Sequence, residues 1–207
     1  MSGINSIVKH LNDKWKGNAL SDSRFPGVKT HGVAIQIPVN SDSGLTYDIC
    51  ELQQDGTVEA SGLSYETIDG SVMTYHRILS TYRKQESGRD TDSFGDETQP
   101  LSHFFNMSML VFMNRKQTKL TTDQMDLLLM ASMENEVAQE DLPDGYLNIS
   151  FTHTGSEYNS QYLYEREFNL KNYSSEPDIV LFEFKYTIEC SYSQNCVKVL
   201  CCPTLLS

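Results

Sequence analysis

Apolar side chains open the chain with a helical rhythm. Ile4, Ile7, Val8, Leu11 and Trp15 fall at i, i+3, i+4, i+7 and i+11, the spacing that lines one side of a 3.6-residue helix. Ser2 can cap its start and Gly17-Asn18 supplies a stop, so a helix over 3–16 is predicted. Its stripe is expected to pack on a sheet. With three lysines and one aromatic, it fits a partner-binding or membrane-surface helix less well.

The rhythm then changes to period two. Residues 18–31 are polar, contain Pro26-Gly27 and read as a loop. Val33, Ile35, Ile37 and Val39 alternate as a strand that ends at Asn40–Gly44, and Leu45, Tyr47 and Ile49 begin the next. Cys50 and Leu52 switch parity, which calls for a bulge or for burial on both faces. Asp55-Gly56 is a hairpin turn signal leading into Val58 and Ala60. Residues 71–83 satisfy both periods, and their β-branched and aromatic content favours a strand. Phe105, Met107, Met109, Val111 and Met113 form one unbroken strand face.

A second helix is predicted over about 122–139, opened by the capping-box pair Thr121…Gln124 and by Asp123. Met125, Leu128, Leu129 and Met133 form its stripe and Leu127 and Met130 broaden it, so it is expected to be the more deeply buried helix. Pro143-Asp144-Gly145 closes that segment. The last third reads as strands: Leu147, Ile149, Phe151 and His153 on one; Tyr162, Tyr164, Phe168 and Leu170 on the next, interrupted by Arg166; then Val180, Phe182, Phe184, Tyr186 and Ile188 alternating with Glu183, Lys185, Thr187 and Glu189. A turn at 191–195 leads to Val197, Val199 and Cys201.

The sum is a single α+β domain over 1–207: a mainly antiparallel sheet with an N-terminal amphipathic helix and one central helix, both on one face. A curled sheet or a sandwich is the competing arrangement. Few alanines and many Ser, Thr and aromatic residues agree with a β-rich chain. No apolar run reaches ~18 residues, so no transmembrane helix is expected.

Charge narrows the partners. Lys and Arg number 16 against 28 Asp and Glu, a net charge of −12, which argues against binding a nucleic-acid phosphate backbone. Two stretches concentrate the acids. The surface loop 86–100 carries Glu86, Asp90, Asp92, Asp96 and Glu97, and residues 134–144 carry Glu134, Glu136, Glu140, Asp141 and Asp144. Solvation is the plain role of such runs; a surface that attracts a basic partner is the functional one. Asp90–Leu101 fails as a calcium loop, because Phe94 and Leu101 stand where ligands are needed.

Chemical motifs are sparse. Neither a phosphate-binding glycine loop nor H-E-x-x-H nor G-x-S-x-G is present. Cys190, Cys196, Cys201 and Cys202 have poor zinc spacing and read first as small buried hydrophobes, with metal binding or lipidation of Cys201 or Cys202 as alternatives. The odd cysteine count and the lack of a secretory leader point to reduced thiols and a cytoplasmic setting. Arg166 on a tyrosine-rich face has three readings: an anion anchor, a structural salt bridge to a core-facing acid, or an exposed cation stacked on Tyr162 and Tyr164.

Two functions follow. The first is a non-enzymatic interaction protein whose acidic loops meet a basic protein surface (inhibitor, immunity-type, adaptor or self-assembling viral or structural subunit), with no cofactor, metal or catalytic residue assigned. The alternative is a small-ligand carrier or enzyme with a pocket between sheet and central helix, lined by Met107, Met109, Met125, Tyr162 and Tyr164 with Arg166 as anion anchor.

Overall fold

A computed structural model describes residues 2–20, 27–41, 44–52, 57–63, 70–85, 90–91, 97–98, 100–133, 148–169 and 178–193. Helix α1 spans Ser2–Leu20 and is followed by β1 (Val28–Ser41), β2 (Gly44–Leu52), β3 (Val58–Leu63) and β4 (Val72–Gln85). Two short strands, β5 (Asp90–Thr91) and β6 (Glu97–Thr98), pair with each other. Then come β7 (Pro100–Asn114), α2 (Thr122–Ser132), β8 (Asn148–Glu157), α3 (Ser160–Phe168) and β9 (Ile179–Ser193).

Seven strands form one sheet in the order β3-β2-β1-β4-β7-β9-β8. Every neighbouring pair is antiparallel except β1–β4. The α+β, mainly antiparallel expectation therefore holds, and the seven strands of the main sheet lie in one layer and not, among the described residues, in a sandwich. The parallel pair explains why β1 starts at Val28, inside the segment read as a loop: Val28–Thr30 align with Val72–Thr74. A clamp sets that register. The Gly27 carbonyl accepts from the backbone N–H of Ser71 at 2.7 Å and of Val72 at 3.2 Å. Gly70 has φ +100°, and a Cβ there would lie 2.9 Å from that carbonyl oxygen, so only glycine suits the position.

Side-chain alternation divides the core in two. On one face Met107, Met109, Val111 and Met113 of β7 meet Phe182, Phe184, Tyr186 and Ile188 of β9, under Ile4, Ile7, Val8, Leu11 and Trp15 of α1 and Met125 and Leu129 of α2. On the other face Leu110 and Phe112 of β7, Met73 and Tyr75 of β4 and Leu181 of β9 meet Leu163, Tyr164 and Phe168 of α3. The strand predicted over 71–83 is present as β4, and the parity switch in β2 coincides with a register shift against β3 between Ile49 and Glu51. The Asp55-Gly56 turn lies outside the described residues.

Five expectations are corrected. Helix α1 runs through Gly17-Asn18 to Leu20, and the Asn18 side chain donates to Ser132 Oγ of α2 at 3.0 Å, tying the two helices together. Helix α2 stops at Ser132, with Met133 in extended backbone as its C-cap. It is also less buried than α1, because Leu127 (62% exposed) and Met130 (40%) face solvent. The stretch read as a strand with Tyr162, Tyr164 and Phe168 is the helix α3, on the opposite face from α1 and α2. The Asn159 side chain accepts from Tyr162 N–H at its start, and Asn169 (φ 57°) ends it in the left-handed conformation. The loop 86–100 contains the β5–β6 ladder.

The capping box is formed as expected: Thr121 Oγ1 accepts from Gln124 N–H, and Gln124 Oε1 accepts from Thr121 N–H. Thr121→Ala is expected to lower stability by about 1 kcal/mol. A urea unfolding midpoint that does not move would show that this cap contributes nothing.

Candidate functional site

Arg166 resolves first. Register places Arg77 of β4 opposite Ser108 of β7, with Glu183 of β9 on the same face under α3. Arg77 Nη2 donates to Glu183 Oε1 at 2.9 Å and to Ser108 Oγ at 3.0 Å, and Arg77 Nη1 pairs with Glu167. Arg166 Nη2 lies 2.8 Å from Glu183 Oε2, and its Nε pairs with Glu167. Lys185 Nζ adds a contact to Glu183 at 3.4 Å. Burial alone would raise the Glu183 carboxyl, but the bonds from Arg166 and Ser108 and the guanidinium charges hold it below its ordinary value. The same carboxylates raise Arg166 despite the opposing effect of burial. Arg166 also sits 5.4 Å from the Tyr162 ring centroid. Its charge is therefore engaged by two acids of its own chain, as the salt-bridge reading has it.

The proposed Met/Tyr pocket is not assembled. Met107, Met109 and Met125 are wholly buried in the α1–α2 core. Tyr164 is buried in the α3 core, and Tyr162 is half exposed on α3. The sheet lies between the two groups.

Under α1 runs a buried polar chain. Asn12 Nδ2 donates to the His31 carbonyl at 2.9 Å, which turns Asn12 Oδ1 inward. That oxygen accepts from Trp15 Nε1 at 3.2 Å and lies 2.8 Å from His76 Nε2. His76 Nδ1 is 2.7 Å from the Tyr186 hydroxyl. An acceptor at Asn12 assigns the His76 proton to Nε2, and Tyr186 then donates to Nδ1. Burial holds His76 neutral, with its pKa depressed to about 3. His76 and His103 lie on paired strands, but His76 stands opposite Met109 and His103 opposite Arg83.

Beside this chain, between α1 and the β1–β2 hairpin, is a cleft of about 290 Å³. Asn5, Lys9 and Asp13 line it from α1, His31 and Gly32 from β1, and Glu51 from β2. The Glu51 carboxylate accepts from Gly32 N–H at 2.8 Å and meets His31 Nδ1 at 3.3 Å. The bond to His31, helped by Gly32 and opposed by burial, lowers its pKa, so it stays ionised. No sequence motif marks these residues. His31 and Glu51 are 20 apart in the chain and meet because β1 pairs with β2, Ala34 opposite Glu51.

Of the acidic stretches, Asp90 and Glu97 stand on β5 and β6, one residue apart in the ladder register. Glu86, Asp92, Asp96, Glu134, Glu136, Glu140, Asp141 and Asp144 lie outside the described residues, as do Cys196, Cys201 and Cys202. Cys50 and Cys190 are buried free thiols, and burial raises Cys190 to about 12. Among the described residues no helix is long and apolar enough to cross a membrane. What the fold and its polar sites define is an α+β sheet protein with a small charged cleft. Neither a known protein family nor any curated protein matches the chain.

Proposed function

We propose that this is a non-enzymatic protein of the cytoplasm whose acidic surface engages a basic protein partner. One observation supports the reading most. The buried set under α3 is balanced, with Arg77 and Arg166 against Glu167 and Glu183. It therefore hides none of the imbalance, and the whole net charge of −12 belongs to the rest of the chain. Ten of those acids fall in 86–97 and 134–144, with Arg89 as the one cation there. A field of this sign speeds encounter with a basic surface and is screened by salt, over about 8 Å at physiological ionic strength.

The test uses the full chain and a partner purified with it. The association rate is expected to fall tenfold or more as salt is raised from low to high concentration. It is expected to fall likewise when Glu86, Asp90, Asp92, Asp96 and Glu97 are neutralised together as Gln or Asn. Association that ignores both changes overturns the proposal.

A further inference from the structure

We propose that the β8 edge of the sheet, with the flank of α2 beside it, is the face on which a second copy of this chain docks. Among the described residues β8 has one sheet neighbour, β9, so its other side is an edge. From Asn148 to His153 its register with β9 is unbroken, and the bulge at Gly155 lies beyond that stretch. Edge strands ordinarily guard against pairing with a lysine, a proline or an inward charge. Residues 148–156 hold no acid, lysine, arginine or proline. Such an edge offers a row of backbone N–H and C=O groups to another strand.

Apolar surface gathers beside the same edge. Ser156 of β8 donates to Asp126 Oδ1 of α2 at 2.5 Å, which turns the Asp126 row of α2 toward β8. Met130 stands one turn on from Asp126 in that row, Leu127 stands next to both, and both apolar side chains are exposed. Tyr158, just past β8, bonds to Asp126 and Ser156 and is exposed as well. Helix α1 is tied to the opposite flank of α2, at Ser132, and leaves these side chains uncovered. Of the seven large apolar side chains exposed among the described residues, three therefore stand at this one edge. Scattered singly they would need no partner; gathered beside an open strand they mark an interface.

Symmetry and charge select the occupant. An antiparallel pair of identical strands is related by a twofold axis. With that axis normal to the sheet, each face stays on its own side, so α2 meets α2 over the join and apolar flank covers apolar flank. The chain carries a net charge of −12, so two copies repel over most of their surface. Along 148–156 they meet without setting acid against acid, whereas a basic partner finds no acid there to pair with. The dimer does not depend on a basic partner, and the two associations respond to salt in opposite senses. Salt screens the repulsion between copies and strengthens the dimer; it weakens the hold on a basic surface.

Sedimentation equilibrium of the full chain, over a range of protein and salt concentrations, is the test, with hydrogen exchange of the 148–153 amides followed on the same samples. A monomer–dimer equilibrium that tightens with salt is expected, with alternate amides in 148–153 gaining protection as the dimer fills. Leu127→Glu and Thr152→Lys change exposed side chains, and circular dichroism checks that both proteins stay folded. Each is expected to weaken the dimer tenfold or more, because the twofold brings each new charge toward its own copy. The proposal is overturned by a chain that is monomeric at every protein and salt concentration, by a dimer that either substitution leaves unchanged, by one that salt weakens, or by one that adds no protection in 148–153.

Discussion

Glu183→Ala is expected to cost about 3–5 kcal/mol of folding stability, the range for breaking a buried ion pair from one side. Glu183 is 1% exposed and holds Arg77 and Arg166 together beneath α3. Its removal leaves two guanidiniums facing the single carboxylate of Glu167. Arg77, 13% exposed, is less screened by water than Arg166 at 30%. The penalty therefore falls mainly on Arg77. Replacing Glu183 and Arg77 together by leucine and methionine is expected to cost less than Glu183→Ala alone, because no uncompensated charge remains at position 77. Urea unfolding of the three proteins decides it. A Glu183→Ala protein within 1 kcal/mol of the parent would show that the cluster is not a buried unit.

The second large effect is acid instability centred on His76. Its pKa is about 3 in the folded protein against 6.5 for an ordinary histidine. The folded state thus refuses a proton that the unfolded chain accepts. Stability from this group is complete above about pH 6.5 and is lost as pH falls from there toward 3. By pH 4 the loss is roughly 3 kcal/mol, at about 1.4 kcal/mol per pH unit. Carboxylates such as Glu51 and Glu183, whose folded values are lowered, add their own loss at lower pH. His76→Gln separates the two contributions. Denaturant unfolding as a function of pH is expected to show a steeper slope between pH 6.5 and 4 in the parent than in the variant, where His103, lowered by burial and by Arg83, still contributes. Parallel curves would mean that His76 is not held neutral.

How much of this was legible in the sequence follows the range of the forces involved. The α1 stripe, the alternation of β9 and the Thr121 capping box are local patterns, and each was read correctly. Helix α3 was missed because Tyr162, Tyr164, Phe168 and Leu170 also satisfy period two. The signal that contradicts a strand is the Asn159 cap together with buried Leu163, Tyr164, Glu167 and Phe168, a spacing of one, four and five. The alternation of β9 does not reveal that Glu183 is buried, because that depends on a helix across the other face. Leu127 and Met130 were assigned to the core because composition does not reveal that α2 is covered on one side only. The parallel β1–β4 pair and the His31–Glu51 contact depend on long-range register, which no local window contains. The sequence marks Arg166 as a residue needing a partner, and its partners, Glu167 and Glu183, meet it because 160–168 is a helix lying on β9 and not a strand.

Strand order has a last consequence, for synthesis. β9 is the final described strand in the chain, yet it lies between β7 and β8, pairing with β7 along its whole length and with β8 over residues 183–191. A ribosome delivers β7 and β8 first. Until residues 179–193 emerge, both strands present open backbone to the cell, and the methionine face of β7 has no Phe182, Phe184 or Tyr186 against it. Pairing of β9 with β7 and β8 is what covers both, so a chain that lacks residues 179–193 leaves the β7 edge open and β8 without a sheet neighbour.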